Sequence, residues 1–95
     1  MSSIKRLVLD LLKPHDVENV AFARSVADVD GVDGVNVGLL ETDKQVQTLK
    51  LTIEGDTIDV RAVEETIEDL GGTIHSVDEI ACGDRLVEES PTHQD

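Results

Sequence analysis

Arg6, Asp10, Lys50, Glu54 and His75 are the residues of this chain best suited to hold a ligand. Asp10 and Glu54 can each offer carboxylate oxygens to a hard cation such as Ca2+ or Mg2+. Each also falls opposite a base once the strands are paired, so a structural ion pair competes with ligation. His75 can approach Asp10 from a neighbouring strand; a neutral, hydrogen-bonded imidazole is the competing reading. Asp28, Asp30 and Asp33 crowd one loop with a spacing superficially like a calcium site. Gly31 and Gly34 are wrongly placed for an EF-hand, however, and its closing Glu is missing. His15 follows Pro14 in a loop where it can face a partner, and His93 lies close to the C terminus. Cys82 is the sole cysteine, which excludes an internal disulfide or a CxxC pair; a half-buried, inert thiol is expected. No Ser/His/Asp spacing, HExxH, phosphate loop or GxGxxG occurs. The residues therefore point to no catalytic group and no cofactor, and the chain reads as a non-enzyme.

Two similar βαβ patterns in tandem must position these side chains. The first runs from Ile4 to about Leu40, the second from about Gln47 to Ile80. Leu7, Leu9 and Leu11 alternate with Arg6, Val8 and Asp10 in a strand predicted over 4–12. Asp16 is placed to cap a helix over 17–29, with Phe22, Val26 and Val29 as its apolar stripe. A second strand over 35–41 alternates Val35, Val37 and Leu39. Asp43 marks a hairpin turn, and Leu49, Leu51 and Ile53 share one face of a third strand over 46–54. Asp59 can cap a helix over 60–70, which Gly71-Gly72 stops. In the last strand, 73–81, Ile74, Val77 and Ile80 cannot share one face unless a bulge intervenes.

This order predicts an α+β, ferredoxin-like βαββαβ fold: an antiparallel four-stranded sheet, order 4-1-3-2, with both helices on one face. Setting Leu9 beside Leu51 brings Leu7 beside Ile53 and Leu11 beside Leu49. On the other face the same register puts Arg6 by Glu54 and Asp10 by Lys50, both complementary. Likewise Val37 falls by Leu51 and Leu39 by Leu49. One register satisfies core and charge together. The uncovered face then carries Val8, Leu12 and Leu40 among its polar residues. It can be solvated, buried in an oligomer, or used to bind a ligand.

The chain has 95 residues, enough for one small domain. Residues 1–87 are predicted to form it, with 88–95 a disordered acidic tail. Apolar residues make up 39%, and Phe22 is the only aromatic, so Val, Leu and Ile must build the core. Net charge is −13, from 21 acids against 8 bases. Nucleic acid is excluded as a partner, since phosphate contacts need clustered Lys and Arg. No apolar run approaches the ~20 residues of a membrane span, and Met1-Ser2-Ser3 does not open a signal peptide. A cytoplasmic protein without membrane contact is expected. The excess of Asp over Lys resembles proteins of salt-loving archaea, where molar salt screens repulsion.

Several segments resemble a known family. They are Arg6-Leu7-Val8-Leu9-Asp10-Leu11-Leu12-Lys13-Pro14-His15, Gly31-Val32-Asp33-Gly34-Val35-Asn36, Thr52-Ile53-Glu54-Gly55, Ile67-Glu68-Asp69-Leu70-Gly71-Gly72 and Ile74-His75-Ser76-Val77-Asp78-Glu79. Together they resemble the archaeal "domain of unknown function 211" family, from Ile4 to about Val87. That resemblance implies a ferredoxin-like fold and ring-like homo-oligomers in the archaeal cytoplasm, with no settled activity and no catalytic residues to transfer. The run Gly31-Val32-Asp33-Gly34-Val35 also resembles heavy-metal-associated domains. Their CxxC is replaced by Lys13-Pro14-His15-Asp16, which argues against soft-metal carriage. The expected partner is thus a second copy of the chain, with a divalent cation or small ligand as the alternative.

Overall fold

The computed structural model describes residues 2–90; Met1 and 91–95, including His93 and most of the predicted tail, lie outside the described residues. The chain runs β1 (Ile4–Pro14), α1 (Asn19–Ala27), β2 (Val32–Thr42), β3 (Val46–Gly55), α2 (Val60–Asp69) and β4 (Thr73–Cys82). The strands form one antiparallel sheet in the order β2-β3-β1-β4, the predicted 4-1-3-2 read from the other edge. The fold is ferredoxin-like α+β.

The β1–β3 register matches the sequence prediction residue for residue. Leu7 pairs with Ile53, Leu9 with Leu51 and Leu11 with Leu49, while Arg6 faces Glu54 and Asp10 faces Lys50. All six apolar members are buried, together with Phe22 and Val26 of α1 and Val63 and Ile67 of α2. Each such side chain contributes about 1.5–3 kcal/mol by leaving water. Alternation therefore assigns the remaining positions of β1 to the uncovered face.

Lys13 continues the buried row of β1 and is 0% exposed. Its ammonium donates to the Pro14 carbonyl at 2.7 Å and to the Val17 carbonyl. Burial pulls its pKa down, with Asp16 opposing. This clamp bears on the start of α1. The sequence points to Asp16 as the helix cap, but the cap position is Glu18, with no side-chain hydrogen bond, and the helix begins at Asn19. The Val17 carbonyl is held by Lys13, and the first helical bond runs instead from Phe22 N–H to the Glu18 carbonyl, 2.9 Å. In α2 the prediction holds: Asp59 Oδ1 accepts from the Ala62 N–H at 3.1 Å. Gly71, at φ +85°, closes that helix, with Gly71 and Gly72 N–H donating to the Glu68 and Ile67 carbonyls.

β2 starts earlier than predicted, at Val32, because Gly34 lies inside the strand rather than in the turn. Gly31 is the residue at the turn, with φ +85°. A Cβ on Gly31 would overlap the Thr57 carbonyl, and a Cβ on Gly55 would overlap the Gly31 carbonyl. The α1–β2 and β3–α2 turns thus lie backbone on backbone, and the Asp59 N–H donates to the Asp30 carbonyl at 3.2 Å.

β4 resolves the awkward spacing of Ile74, Val77 and Ile80. They pair with Leu11, Leu9 and Leu7, all on the helix side, because the β1–β4 register shifts between Asp10 and Leu11 and again between Val8 and Leu9. His75 and Asp78 are the extra residues. β2 carries two similar irregularities, at Asp33 and Leu40. Cys82 is exposed rather than half-buried, since it ends an edge strand.

Candidate functional site

The uncovered face displays Arg6, Val8, Asp10 and Leu12 from β1, Thr48, Lys50, Thr52 and Glu54 from β3, and Gly34, Asn36 and Gly38 from β2. Val8 is buried there, walled by Thr52 and Glu79 across the ladders. Four of the five predicted ligand residues, Arg6, Asp10, Lys50 and Glu54, share this face; His75 is an extra residue of the neighbouring β4 bulge, and the five divide into two groups. Asp10 lies four positions beyond Arg6 along β1, a rise of roughly 13 Å.

Arg6 forms the first group. Its Nε and Nη2 both donate to Oε2 of Glu54, at 2.9 and 2.7 Å. Nη1 reaches Glu79 at 3.1 Å. Glu88 accepts from Nη1 and Nη2 at 2.7 and 3.0 Å, a two-pronged carboxylate contact. These bonds raise the guanidinium's already high pKa, and Arg6 in turn holds the Glu88 carboxyl below its usual range. Sequence reasoning found the Glu54 partner through the register. It missed Glu79, whose placement depends on the β4 bulges, and Glu88, which lies beyond the last regular element.

Asp10, Lys50 and His75 form the second group, joined by Asp78. The predicted Asp10–Lys50 ion pair is not among the salt bridges of the described residues, although the two are register partners. Asp10 is instead influenced by Asp78, the extra residue of one bulge. Burial, a hydrogen bond with Asp78 and that residue's charge push the Asp10 carboxyl above the ordinary value; His75 and Lys50 oppose the shift. Ser76, paired with Asp10, donates its hydroxyl to Asp78 Oδ1 at 2.8 Å. His75 is within electrostatic reach of Asp10. The uneven spacing of β4 was the sequence signal that pointed to this bulged region.

Other candidates serve the fold. His15 Nε2 lies 2.7 Å from the Asp43 carbonyl, tying the β1–α1 loop to the β2–β3 hairpin. Asp43 Oδ1 accepts from Gln45 and Val46 N–H, both at 2.9 Å, and these bonds lower its pKa. Among the described residues, no group of three or more His, Cys, Asp or Glu is arranged to hold a metal ion, the Asp28–Asp30–Asp33 loop included. No helix among them is long and apolar enough to cross a membrane.

Residues 5–95 match the family described as "Uncharacterized ArCR", domain of unknown function 211. An uncharacterized protein of Methanocaldococcus jannaschii is 44% identical over 95 residues, covering 100% of this chain and 98% of that relative.

Proposed function

The chain belongs to the archaeal domain of unknown function 211 family, and from that membership we propose a non-enzymatic, cytoplasmic protein that closes into rings of identical subunits. One observation carries the reading. Four large aliphatic side chains, Leu39 and Leu40 on β2 and Val77 and Ile80 on β4, are 53%, 55%, 51% and 58% exposed. β2 and β4 are opposite edges of the sheet. Different edges meeting head to tail generate a ring when the rotation closes. The bulges on both edges disfavour a long continuous ladder, so packing of these side chains is the stronger contribution.

The test is particle mass by light scattering across a range of concentration and salt. The wild-type chain runs as a multimer, and Leu40→Glu with Ile80→Glu runs as a folded monomer with an unchanged circular dichroism spectrum. A wild-type monomer under every condition sinks the proposal.

A second reading, a regulatory module for a divalent cation or small ligand, is favoured by the Asp10–Asp78 carboxyl pair. A cation bridging the two relieves their repulsion, so millimolar Ca2+ or Mg2+ raises Tm. A flat response removes this reading and leaves the first intact.

A further inference from the structure

A groove of about 340 Å3 opens on the uncovered face at the β2–β3 ladder, lined by Asp33, Gly34, Val35, Asn36, Thr52 and Glu54. Its volume is at the small end of the ligand-sized range, roughly 300–1,000 Å3. The register explains the hollow. Gly34 pairs with Glu54 and Asn36 with Thr52, and Gly34 has no side chain to fill the space beside them. A Cβ at Gly34 would meet nothing within 4 Å. The bulge inserts Asp33 just before Gly34. Bulges bend a strand and re-aim its side chains, and this one adds a second carboxylate to the groove.

The polar groups of this hollow are unspent. Among the described residues, no intrachain hydrogen bond occupies the side chains of Asp33, Asn36 or Thr52. Both Arg6 bonds to Glu54 end on Oε2, which leaves Oε1 free. Arg6 is also shared with Glu79 and Glu88, so one positive charge stands among three negative ones. The Glu54 charge is therefore only partly answered, and Asp33 adds to the surplus. Two carboxylates accept only, while the Asn36 amide and Thr52 hydroxyl both donate and accept. Such a lining repels anions and suits a cation that carries several N–H donors in a plane or a cone.

We propose that the β2–β3 groove binds a small organic cation, a guanidinium or primary ammonium compound. The ligand's N–H groups bridge Asp33 and Glu54, and its carbon chain lies along the bare backbone at Gly34. This site is separate from the edge aliphatics and from the Asp10–Asp78 pair.

Agmatine, which carries both cationic groups and no carboxylate, is the probe. Calorimetry and amide NMR titrations at matched ionic strength are the readouts, repeated on the Leu40→Glu, Ile80→Glu chain so that assembly does not mask the groove. Saturable binding of one agmatine per chain is expected, with the largest shifts at residues 33–36 and 52–54. Gly34→Leu fills the hollow and weakens binding by ~10-fold or more, with circular dichroism unchanged. Asp33→Asn, at an exposed position, weakens binding several-fold and serves in place of Gly34→Leu should that chain fail to fold. Equal binding by Asp33→Asn and wild type would mean diffuse attraction to an acidic protein and overturns the proposal. Absence of saturable binding overturns it too.

Discussion

The carboxyl of Asp10 lies within electrostatic reach of the carboxyl of Asp78, where a β4 bulge brings two like charges toward each other. The Asp10 pKa is raised in the folded chain. The folded state then binds more protons than the unfolded state between the ordinary carboxylate pKa and the raised one. Stability from this site is full below that window and falls as pH rises through it.

Asp78→Asn should therefore raise Tm at neutral pH. Its Oδ1 can still accept from Ser76, so the bulge keeps its local bond. The gain should vanish once the solution is acidified below the ordinary carboxylate pKa. Thermal melts of both chains across pH check this, and a pH-independent difference would contradict it.

Arg6→Gln should lower Tm, most strongly in dilute buffer. It leaves Glu54, Glu79 and Glu88 facing each other without their shared cation. Added salt screens that repulsion, so the gap to wild type should narrow. Glu88 has the opposite linkage from Asp10. Its pKa is depressed by Arg6, so its contribution is present above the ordinary carboxylate pKa and lost as pH falls through the lower, folded value. Arg6→Gln should erase that acid-side loss. A Tm gap that ignores salt would refute the assignment.

Gly55→Ala should destabilise by roughly 1–3 kcal/mol or more, because the new methyl is driven into the Gly31 carbonyl. Gly34→Ala, which meets nothing, should stay within about 0.5 kcal/mol of wild type. Urea midpoints distinguish them. Similar midpoints would mean that the two turns separate easily.

A chain of net charge −13 should lose its fold in dilute buffer and regain it in molar KCl, if its acidity is an adaptation to salt. The comparison is circular dichroism in the two solvents. An unchanged spectrum removes the salt-loving reading.

The sequence made the fold legible because β1 and β3 bury one face each. A slip of one residue would have turned Leu9 and Leu51 outward, so the apolar rows alone pin the pairing. The same logic carried Val37 and Leu39 of β2. It failed where an extra residue enters an edge strand. The alternation of β4 shows that a bulge is needed but not where, so the sequence does not bring Asp78 and Glu79 into the site. Leu40 fits a regular alternation in the sequence, and nothing there reveals that it is an inserted residue. The Asp10–Lys50 pair shows a different limit: register sets which residues are opposite, but a long side chain is free to turn away. Lys13 ends the buried row of β1, and its capture by the Pro14 and Val17 carbonyls depends on a turn that local preferences do not specify. That capture also displaced the predicted Asp16 cap.

The burial of Lys13 gives the molecule an internal clock. Lys44 and Lys50 stand in solvent and should react with an amine-directed acetylating reagent at once. Lys13 is fully buried with both its partners on the backbone, so its acetylation must wait until the β1–α1 loop lifts away. Mass spectrometry of the peptide bearing Lys13 would then read how often this end of the sheet breathes. Labelling as fast as at Lys50 would show that the seal is not kept in solution.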